Sequence, residues 1–525
     1  MAEIATCIVP EGLETAEKFA DIAEREHVDL TIVGPETLLV EGIVDHFQER
    51  GLSVFGPTAA AARLEGSKTW AKAVMRRVGI PTAEWQSFTD RDTARVYAQT
   101  LNWRCAVKAD GLAAGKGSFV CTTEEQVDDA LNVLLAERRY HTQVVLIEEL
   151  LDGQEVSVFA FSDGRTVLPF GAAQDHKRAH DRDKGPNTGG MGAYSPVEHM
   201  HVALEFAVRV FQPLVDDLAA SGTPYVGVLY AGAIVTDMGP KILEFNCRLG
   251  DPEAEVLLCR LDSDLAEILL AATSGQLHKV PKPTWSQKDA LCVVIATDTY
   301  PASQDFGTPI HGLAEAERLP DVRVFHAGTM RDPSTGGYVT AGGRILTVTG
   351  LGDGLEEARS RAYDAVALIN FDRAYFRHDI GTKAIGTARA WNPEWRQPPT
   401  WEVQRSNVSL AIGRIADELQ ELQSEDPTKI PEALERLSAG LYRIRSTLQP
   451  AAPPASRVPN ETSDKSRSLA SDRLAHLEAE FDDILDRMGE PDSLRAVMAV
   501  FGARPHEFGT TVRRDGDRAP NPDKA

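Results

Sequence analysis

The first sixty residues alternate between helical and strand-like hydrophobic patterns. Helical periodicity covers 14–27 and 39–49, and short apolar strands are predicted at 29–34 and 52–57. Strands that alternate with helices indicate a parallel sheet. Because two strands make a small sheet, we expect this N-terminal α/β domain, residues 1–62, to lack a βαβ unit ahead of it.

From residue 63 the hydrophobic pattern changes to strands with occasional helices between them, which predicts α+β lobes. Ser67 predicts the N-cap of a helix that ends near Val78, and a longer helix is predicted at 200–220. Further strands are predicted at 105–108, 144–149, 155–161, 167–170, 226–236 and 241–246. We therefore expect a central domain over 63–289 and a smaller α+β domain over 290–388.

The residues after 388 have a different character. A helical pattern covers much of 389–450, a stretch rich in proline, serine and charge at 451–470 predicts a linker, and 471–525 predicts a short helix with a disordered tail. We expect these helices to bind a protein partner or to self-associate.

Composition and charge exclude several classes of protein. The chain has 525 residues and a net charge of −23, which disfavours binding to nucleic acid. The longest apolar run, Ala290–Thr297, is far shorter than a membrane span. The chain starts without the basic segment of a signal peptide, and its six cysteines include no C-x-x-C pair. We expect a cytoplasmic protein without a membrane or nucleic-acid partner.

The most distinctive segment directly follows the strand predicted at 105–108. It places two lysines and three glycines within ten residues, Lys108-Ala-Asp-Gly-Leu-Ala-Ala-Gly-Lys-Gly117. Glycine lets backbone N–H groups approach an anion closely, and lysine adds positive charge. The segment matches neither G-x-x-x-x-G-K-[ST] nor G-x-G-x-x-G. It predicts a phosphate-covering loop of another kind, with a flexible surface hairpin as the alternative.

A second segment combines a strand with oxygen donors. In Lys241-Ile-Leu-Glu-Phe-Asn246, alternation predicts that Glu244 and Asn246 share one face, while Leu243 and Phe245 face the core. Two oxygen donors at this spacing suit Mg²⁺, which needs few protein ligands besides phosphates and water. The turn Cys247-Arg-Leu-Gly-Asp-Pro-Glu253 follows immediately. The pattern predicts a metal site, and an ordinary strand with a polar face is the alternative.

A third segment joins charge to glycine. Gln174-Asp-His-Lys-Arg178 is followed by Gly185-Pro-Asn-Thr-Gly-Gly-Met-Gly192. The second run offers closely spaced backbone N–H donors, and Lys177 and Arg178 supply positive charge. We interpret the pair as a site for an anionic substrate, with a mobile surface loop as the alternative.

Together these motifs resemble the ATP-grasp superfamily and, within it, the phosphoribosylamine–glycine ligase family. The resemblance is carried by segments 64–68, 107–117, 174–178, 185–196 and 244–253, and it extends from about residue 3 to about residue 388. It implies an ATP-grasp fold with a small C-terminal α+β domain. The glycine-rich opening of that family, roughly G-G-G-x-R-E-H, is absent from this sequence, which agrees with the βαβ unit expected to be missing.

The resemblance implies ATP-dependent ligation of glycine to 5-phosphoribosylamine in purine biosynthesis. A glycyl phosphate would form first, and the products would be glycinamide ribonucleotide, ADP and phosphate. The implied cofactors are ATP and Mg²⁺ or Mn²⁺, and the implied metal ligands are Glu244 and Asn246. Lys108 and Arg248 are the implied catalytic residues.

The resemblance also implies two sets of binding residues. For ATP, two lysines would contact phosphates under the closing loop, a hinge would bind adenine, and one glutamate would lie near the ribose. These residues are Lys68, Lys108, Gly111, Gly115, Lys116, Gly117, Glu148, Glu149, Leu151 and Glu155. The implied substrate site consists of Asp175, Lys177, Arg178, Asn187, Thr188, Gly189, Gly190, Met191, Gly192 and Arg248.

Two other functions remain open at this point. One is a different ATP-grasp carboxylate–amine ligase, with another acid or amine. The other is an inactive scaffold that binds ATP and uses its C-terminal helices for interaction.

Overall fold

The computed structural model describes residues 5–8, 15–113, 116–140, 142–198 and 200–385. Gly115 and the segments predicted at 389–450, 451–470 and 471–525 lie outside the described residues. The chain divides into two compact units, 1–396 and 397–525, and the described residues belong to the first.

The N-terminal segment contains a two-stranded parallel sheet with helices around it. Its elements are α1 (Ala16–Arg25), β1 (Thr31–Ile32), α2 (Glu36–Val40), α3 (Ile43–Glu49), β2 (Val54–Phe55) and α4 (Ala59–Gly66). The parallel pairing of β1 with β2 agrees with the predicted alternation. The helix predicted over 39–49 is instead two helices, because Gly42 adopts a left-handed conformation with φ of +91° between α2 and α3.

The next segment forms a four-stranded antiparallel sheet with helices packed on it. Its elements are α5 (Lys68–Val78), β3 (Trp85–Phe88), α6 (Arg91–Thr100), β4 (Cys105–Ala109), β5 (Ser118–Cys121), α7 (Glu124–Leu131) and β6 (Val145–Glu149). The strand order is β3–β6–β4–β5. Ala94 of α6 and Leu131 of α7 pack with Val107 and Ile147 in a separate apolar core. This sheet holds the predicted glycine-rich loop between β4 and β5.

A larger antiparallel sheet runs through the rest of the described chain. Its first part, with associated elements, comprises β7 (Gln154–Asp163), β8 (Val167–Asp175), β9 (Arg178–His180), β10 (Lys184–Asn187), β11 (Gly192–Ser195), α8 (Met200–Ala220), β12 (Val226–Thr236), β13 (Gly239–Asn246), α9 (Glu253–Arg260) and α10 (Leu265–Thr273). The second part comprises β14 (Asp289–Thr297), β15 (Asp305–Ile310), α11 (Leu313–Glu317), β16 (Val322–His326), β17 (Thr329–Arg331), β18 (Tyr338–Gly342), β19 (Arg344–Gly352), α12 (Leu355–Val366) and β20 (Ala374–Tyr375).

The order of the large sheet is β13–β12–β7–β8–β11–β14–β19–β16, and β20 pairs with β14. Strand β11 pairs with β8 on one side and with β14 on the other. The sheet is therefore continuous across the predicted domain boundary at 289/290. Strands β9 and β10 form a separate hairpin, and β15, β18 and β17 form a three-stranded sheet.

Two predicted elements agree with the structure to the residue, and one predicted face is wrong. Helix α8 occupies 200–220, and strand β12 occupies 226–236. On β13, however, Ile242 and Phe245 are buried while Leu243 is partly exposed. The register shifts between Gly232 and Ala233, opposite Leu243, so a β-bulge interrupts the predicted alternation. Within the described part of the chain, no helix is long and apolar enough to span a bilayer.

Candidate active site

Three buried charged side chains lie where helix α5 meets strands β4 and β6. Lys72, Glu148 and Lys108 are 2%, 1% and 6% exposed. The ammonium groups of Lys72 and Lys108 each lie 3.1 Å from a carboxylate oxygen of Glu148. Burial lowers the pKa of Lys72 to about 8, because the charged form loses hydration, and the Glu148 carboxylate opposes that shift. Because β4 leads into the glycine-rich loop, the Lys108 charge lies at the start of that loop.

The start of helix α5 is tied to the start of that loop. Ser67 caps the helix by accepting from the backbone N–H of Trp70 at 3.2 Å. The Asp110 carboxylate accepts from the Thr69 hydroxyl at 2.7 Å and from its N–H at 3.1 Å. The Lys68 ammonium donates to the Gly111 carbonyl at 2.9 Å. Two predicted ATP residues, Lys68 and Gly111, are thus in direct contact.

The far end of the loop reaches a distant segment. The Lys116 ammonium donates to the carbonyl of Pro301 at 3.3 Å, which joins the loop to the turn after β14. Gly111 has φ of +119°, a conformation that favours glycine. A Cβ on Gly117 would lie 2.5 Å from the Cβ of Ala113, so a side chain there would force the loop apart. The glycines allow the loop to fold back closely on itself.

The predicted adenine hinge begins with the last two residues of strand β6, and these two glutamates contact different partners. Glu148 contacts the two buried lysines, whereas the Glu149 carboxylate accepts from the Lys241 ammonium at 2.8 Å and from the Glu84 N–H at 3.1 Å. Leu151 is partly buried. Glu155, predicted near the ribose, forms an ion pair with Lys177 at 2.9 Å. The hinge assignment for these residues stays a prediction.

Strand β13, which carries the predicted metal ligands Glu244 and Asn246, lies close enough to several lysines for their charges to act on Glu244. Burial acts to raise the pKa of Glu244, but the charges of nearby lysines outweigh it, and the net result is a lowered pKa. These lysines are Lys177, Lys108, Lys68 and Lys72. Glu244 therefore remains ionised although it is poorly hydrated. Its carboxylate interacts both with lysines near the glycine-rich loop and with Lys177, which belongs to the predicted substrate site.

The donor set of this strand fits a hard divalent cation. Glu244 pairs in register with Gly232 and Asn246 with Tyr230, so the two oxygen donors lie on the same face of β13 beyond the bulge. Mg²⁺ prefers oxygen ligands and keeps several waters, so two protein donors suffice when phosphates complete its shell. Among the described residues, no group of three or more His, Cys, Asp and Glu side chains forms a metal site.

The segment predicted to bind substrate is folded back on itself by backbone hydrogen bonds. His176 N–H donates to Gly192 at 2.9 Å, Met191 N–H donates to His176 at 2.9 Å, and Thr188 N–H donates to Lys177 at 2.7 Å. Burial raises the pKa of Asp175 to about 7, and Lys177 opposes the shift. Lys177 pairs with Glu155, which was predicted near the ribose, and its charge also acts on Glu244.

Backbone N–H groups of the segment 187–192, predicted to bind an anionic substrate, are bonded within the protein, and the substrate assignment stays a prediction. The N–H of Gly189 donates to the Tyr300 hydroxyl at 3.1 Å, and the N–H of Gly190 donates to the Thr188 hydroxyl at 3.0 Å. Together with the bonds of Thr188 and Met191, these donors are used within the protein. Asn187 ends strand β10, and the Arg178 guanidinium donates to the Gly185 carbonyl at 2.8 Å. The predicted donors therefore hold the loop's shape.

Arg248 lies in a network with the N-terminal segment. Its guanidinium is 2.9 Å from the Glu36 carboxylate and 3.7 Å from that of Glu65. Glu65 also accepts from the N–H of Cys247 at 2.7 Å. Burial raises the pKa of Glu65 to about 7, and the Arg248 charge opposes it. The roles predicted for Arg248 stay predictions, and any ligand contact would share its guanidinium with these carboxylates.

Two arginines that the sequence analysis missed hold the substrate loop from far along the chain. Arg344, on β19, donates to the carbonyls of Gly189 at 3.1 Å and Asp251 at 2.8 Å. Arg377 is completely buried and pairs with Asp379 at 2.8 Å and with Asp183 at 3.1 Å. Nothing local in the sequence marks either arginine.

Lys72 was also missed, although it carries a signal. It follows Lys68 by four residues, so the two lysines lie on the same face of helix α5. His176, a fourth residue without a predicted role, is buried and accepts from the Gly381 N–H at 3.2 Å. Burial lowers the pKa of His176 to about 4, and the nearby charge of Arg377 adds to the shift.

Sequence comparisons identify relatives over most of the described chain. Models of phosphoribosylglycinamide synthetase match three segments: its N domain residues 1–65, its ATP-grasp domain residues 66–254 and its C domain residues 290–383. A phosphoribosylamine–glycine ligase of Escherichia coli O6:H1 is 45% identical over 380 residues, which are 71% of this chain and 88% of that protein. The chloroplastic enzyme of the same name from Arabidopsis thaliana is 44% identical and covers 73% of each chain.

Solved structures with a similar fold point to the same family. The crystal structure of phosphoribosylamine–glycine ligase from Thermotoga maritima is 31% identical, with a TM-score of 0.61, over 69% of this chain and 88% of that one. The biotin carboxylase domain of 2-oxoglutarate carboxylase from Hydrogenobacter thermophilus, solved with MgADP, ADP and bicarbonate, is similar in fold alone. It is 18% identical, with a TM-score of 0.54, over 69% of this chain and 78% of that one. The chain belongs to the phosphoribosylamine–glycine ligase family, whose members are ATP-dependent ligases with the ATP-grasp fold.

Proposed function

We propose that this chain joins glycine to 5-phosphoribosylamine at the expense of ATP and releases glycinamide ribonucleotide, ADP and phosphate. One arrangement carries the proposal: Lys68 donates to the Gly111 carbonyl at 2.9 Å, Lys108 pairs with Glu148 at 3.1 Å, and both lysine charges act on the Glu244 carboxylate of β13. Such an array suits a metal-bound triphosphate next to an anionic substrate. The names and identity of the relatives support this choice of acid and amine over another pair.

On the nucleotide side, Lys68 and Lys108 contact the ATP phosphates, and the loop from Gly111 to Gly117 covers them. The contact of Lys68 with Gly111 supports this role, because it links one phosphate ligand to the loop that closes. We assign the adenine hinge to the backbone groups of Glu148, Glu149 and Leu151, which leaves the Glu148 carboxylate to the two lysines, and the ribose to Glu155. A closed loop excludes water, which protects a reactive acyl phosphate from hydrolysis.

Glu244 and Asn246 would hold Mg²⁺ or Mn²⁺, and the bound metal would supply charge neutralisation at the ATP phosphates. The oxygen donors and the ionised state of Glu244 support this assignment. Lys108 contributes to the same neutralisation from strand β4. Because the phosphoryl group carries diffuse negative charge during transfer, positioned cations account for much of the catalysis.

The reaction needs two displacements and no side-chain nucleophile. A carboxylate oxygen of glycine attacks the terminal phosphorus, the bond to ADP breaks, and glycyl phosphate forms. The amine of 5-phosphoribosylamine then attacks the glycyl carbonyl carbon, phosphate leaves, and the nitrogen loses a proton. We assign substrate contacts to Asp175, Lys177, Arg178, Arg248 and the segment 187–192.

We also propose a cytoplasmic location for the reaction. All six cysteines, which lie among the described residues, are free thiols, and four of them are buried. This state is usual in a reducing compartment. We further propose that the residues after 388 bind a protein partner or self-associate.

The deciding experiment measures ADP release by the full chain with MgATP while glycine and 5-phosphoribosylamine are supplied together or singly. We expect release only when both are present, with glycinamide ribonucleotide identified by mass spectrometry. ATP binding without turnover would favour the scaffold function instead. Turnover that requires another acid or amine would favour a different carboxylate–amine ligase.

A further inference from the structure

We propose that Lys72 is a positioning residue that keeps the Lys108 ammonium available to the ATP phosphates by sharing the Glu148 carboxylate. The role given to Lys108 rests on the proposed function, which assigned no part to Lys72.

Lys72, Lys108 and Glu148 form a cluster with two positive charges and one negative charge. The Lys72 ammonium lies 3.1 Å from Oε2 of Glu148, and the Lys108 ammonium, which lies 3.1 Å from both carboxylate oxygens, donates its hydrogen bond to the same Oε2. Two positive charges thus share one negative charge in a region that is almost inaccessible to water. If Glu148 paired with Lys108 alone, the pair would be neutral and would attract a triphosphate weakly. The second lysine leaves the cluster with a net positive charge.

Lys72 is fixed on its other side by a hydrogen-bonded chain. Its ammonium donates to the Thr82 hydroxyl at 2.5 Å, and that hydroxyl donates to the Ile242 carbonyl at 2.6 Å. Ile242 lies two residues before Glu244 on β13. Lys72 is therefore linked to β13, the strand of the predicted metal ligands, through Thr82, and to Lys108 through Glu148. This position allows its charge to act on both the metal ligands and Lys108.

A role in stability alone explains this arrangement poorly. Buried ion clusters are often no more stable than apolar groups of the same volume, and an excess buried cation adds a cost. Glu148 from β6, Lys108 from β4 and Glu244 from β13 act on Lys72, and Lys68 also acts on Glu244, so three lysines face two carboxylates. An excess of buried positive charge is expected where an anionic ligand completes the balance.

The test compares MgATP affinity, measured by titration calorimetry without glycine or amine, in a set of full-length variants. We expect Lys72→Met to weaken ATP binding by about tenfold, because Glu148 then neutralises Lys108. The double variant Lys72→Met with Glu148→Gln frees Lys108 again, so its affinity should return to within about threefold of wild type. This recovery is the result that a merely structural role would not produce.

Two controls separate charge from packing. Arg77→Met removes an ion pair with Asp217 from the same helix, outside the site, and should leave ATP affinity unchanged. Thr82→Val breaks the hydrogen-bonded chain but keeps both lysine charges, so ATP affinity should stay within about threefold of wild type.

Several results would overturn the proposal. Unchanged ATP affinity in Lys72→Met, a double variant still about tenfold weaker than wild type, or an equal loss in Thr82→Val would each do so. If Lys72→Met does not fold, the double variant alone decides by the same threshold. Because ATP binding is measured without the other substrates, a wild-type chain that binds ATP but does not ligate glycine refutes the proposed function and leaves this test valid.

Discussion

The predicted ATP-binding part of the site is built by residues close together in sequence, whereas the loop at 176–192 is held by residues far away in sequence. Lys68 and Lys72 lie one helical turn apart on α5, and Lys108 and Glu148 lie on neighbouring strands of one small sheet. The loop, in contrast, is held by Arg344 and Arg377, which are more than 150 residues away along the chain. Charge on the first side comes from a local unit, whereas the shape of the second depends on the distant part of the sheet.

This difference predicts that variants on the nucleotide side change chemistry, whereas variants on the loop side change stability and amine binding. The strongest test is Glu244→Ala. Loss of the carboxylate among four lysines should reduce metal-dependent turnover by about 10³-fold or more, measured as ADP release. ATP binding in the absence of metal should persist, because the lysines remain. Glu356→Ala, an exposed acid on α12, is the matched control, and near-normal turnover in Glu244→Ala would remove the metal assignment.

Arg377→Met probes the loop side. Removing a fully buried guanidinium leaves Asp379 without its main partner and Asp183 with Lys383 alone, so the free energy of unfolding should fall by about 3 kcal/mol or more in urea denaturation. Arg373→Met removes an exposed pair with Asp298 and should cost less than about 1 kcal/mol. Equal effects of the two variants would contradict the distinction between a buried clamp and a surface ion pair.

A pH titration sharpens the same comparison. The pKa of buried His176 is about 4 instead of 6.5, so its neutral form stabilises the fold above pH 6.5, and this contribution is lost as pH falls toward 4. Wild type should therefore lose about 2 kcal/mol more than His176→Gln between pH 7 and pH 5. The difference is measured by urea denaturation at each pH. Parallel pH profiles for the two proteins would show that His176 does not titrate in this way.

The smallest effect is expected for Arg344→Ala. Its guanidinium binds loop carbonyls, so its loss should raise the KM for 5-phosphoribosylamine by about tenfold while ATP affinity stays constant. Exposed Arg318→Ala serves as the control. A parallel loss of ATP affinity would show that the two sides of the site are not supported separately.

The sequence allowed correct predictions for features that depend only on residues close together along the chain. The bounds of α8 and β12, the cap at Ser67 and the lysine–glycine loop all follow from local pattern. The bulge at Leu243 could not be predicted, because it depends on the register with β12. The split between α2 and α3 depends on one glycine conformation at Gly42.

The contacts of the substrate loop were beyond sequence analysis for a physical reason. Backbone N–H groups in a glycine-rich run can bind an anion or another part of the protein, and the spacing of residues is the same in both cases. The hydroxyl of Tyr300 and the guanidinium of Arg344 decide the outcome here, and both arrive through tertiary packing. The sequence around Arg344 does not indicate which backbone carbonyls its guanidinium will contact.

The pairing of β11 with β14 has a consequence for anyone who dissects this enzyme into pieces. A fragment that stops at residue 289 would expose one edge of β11, with its N–H and C=O groups open to pairing with other chains. Chimeras that exchange the C-terminal part between relatives must therefore preserve the complementarity of these two strands.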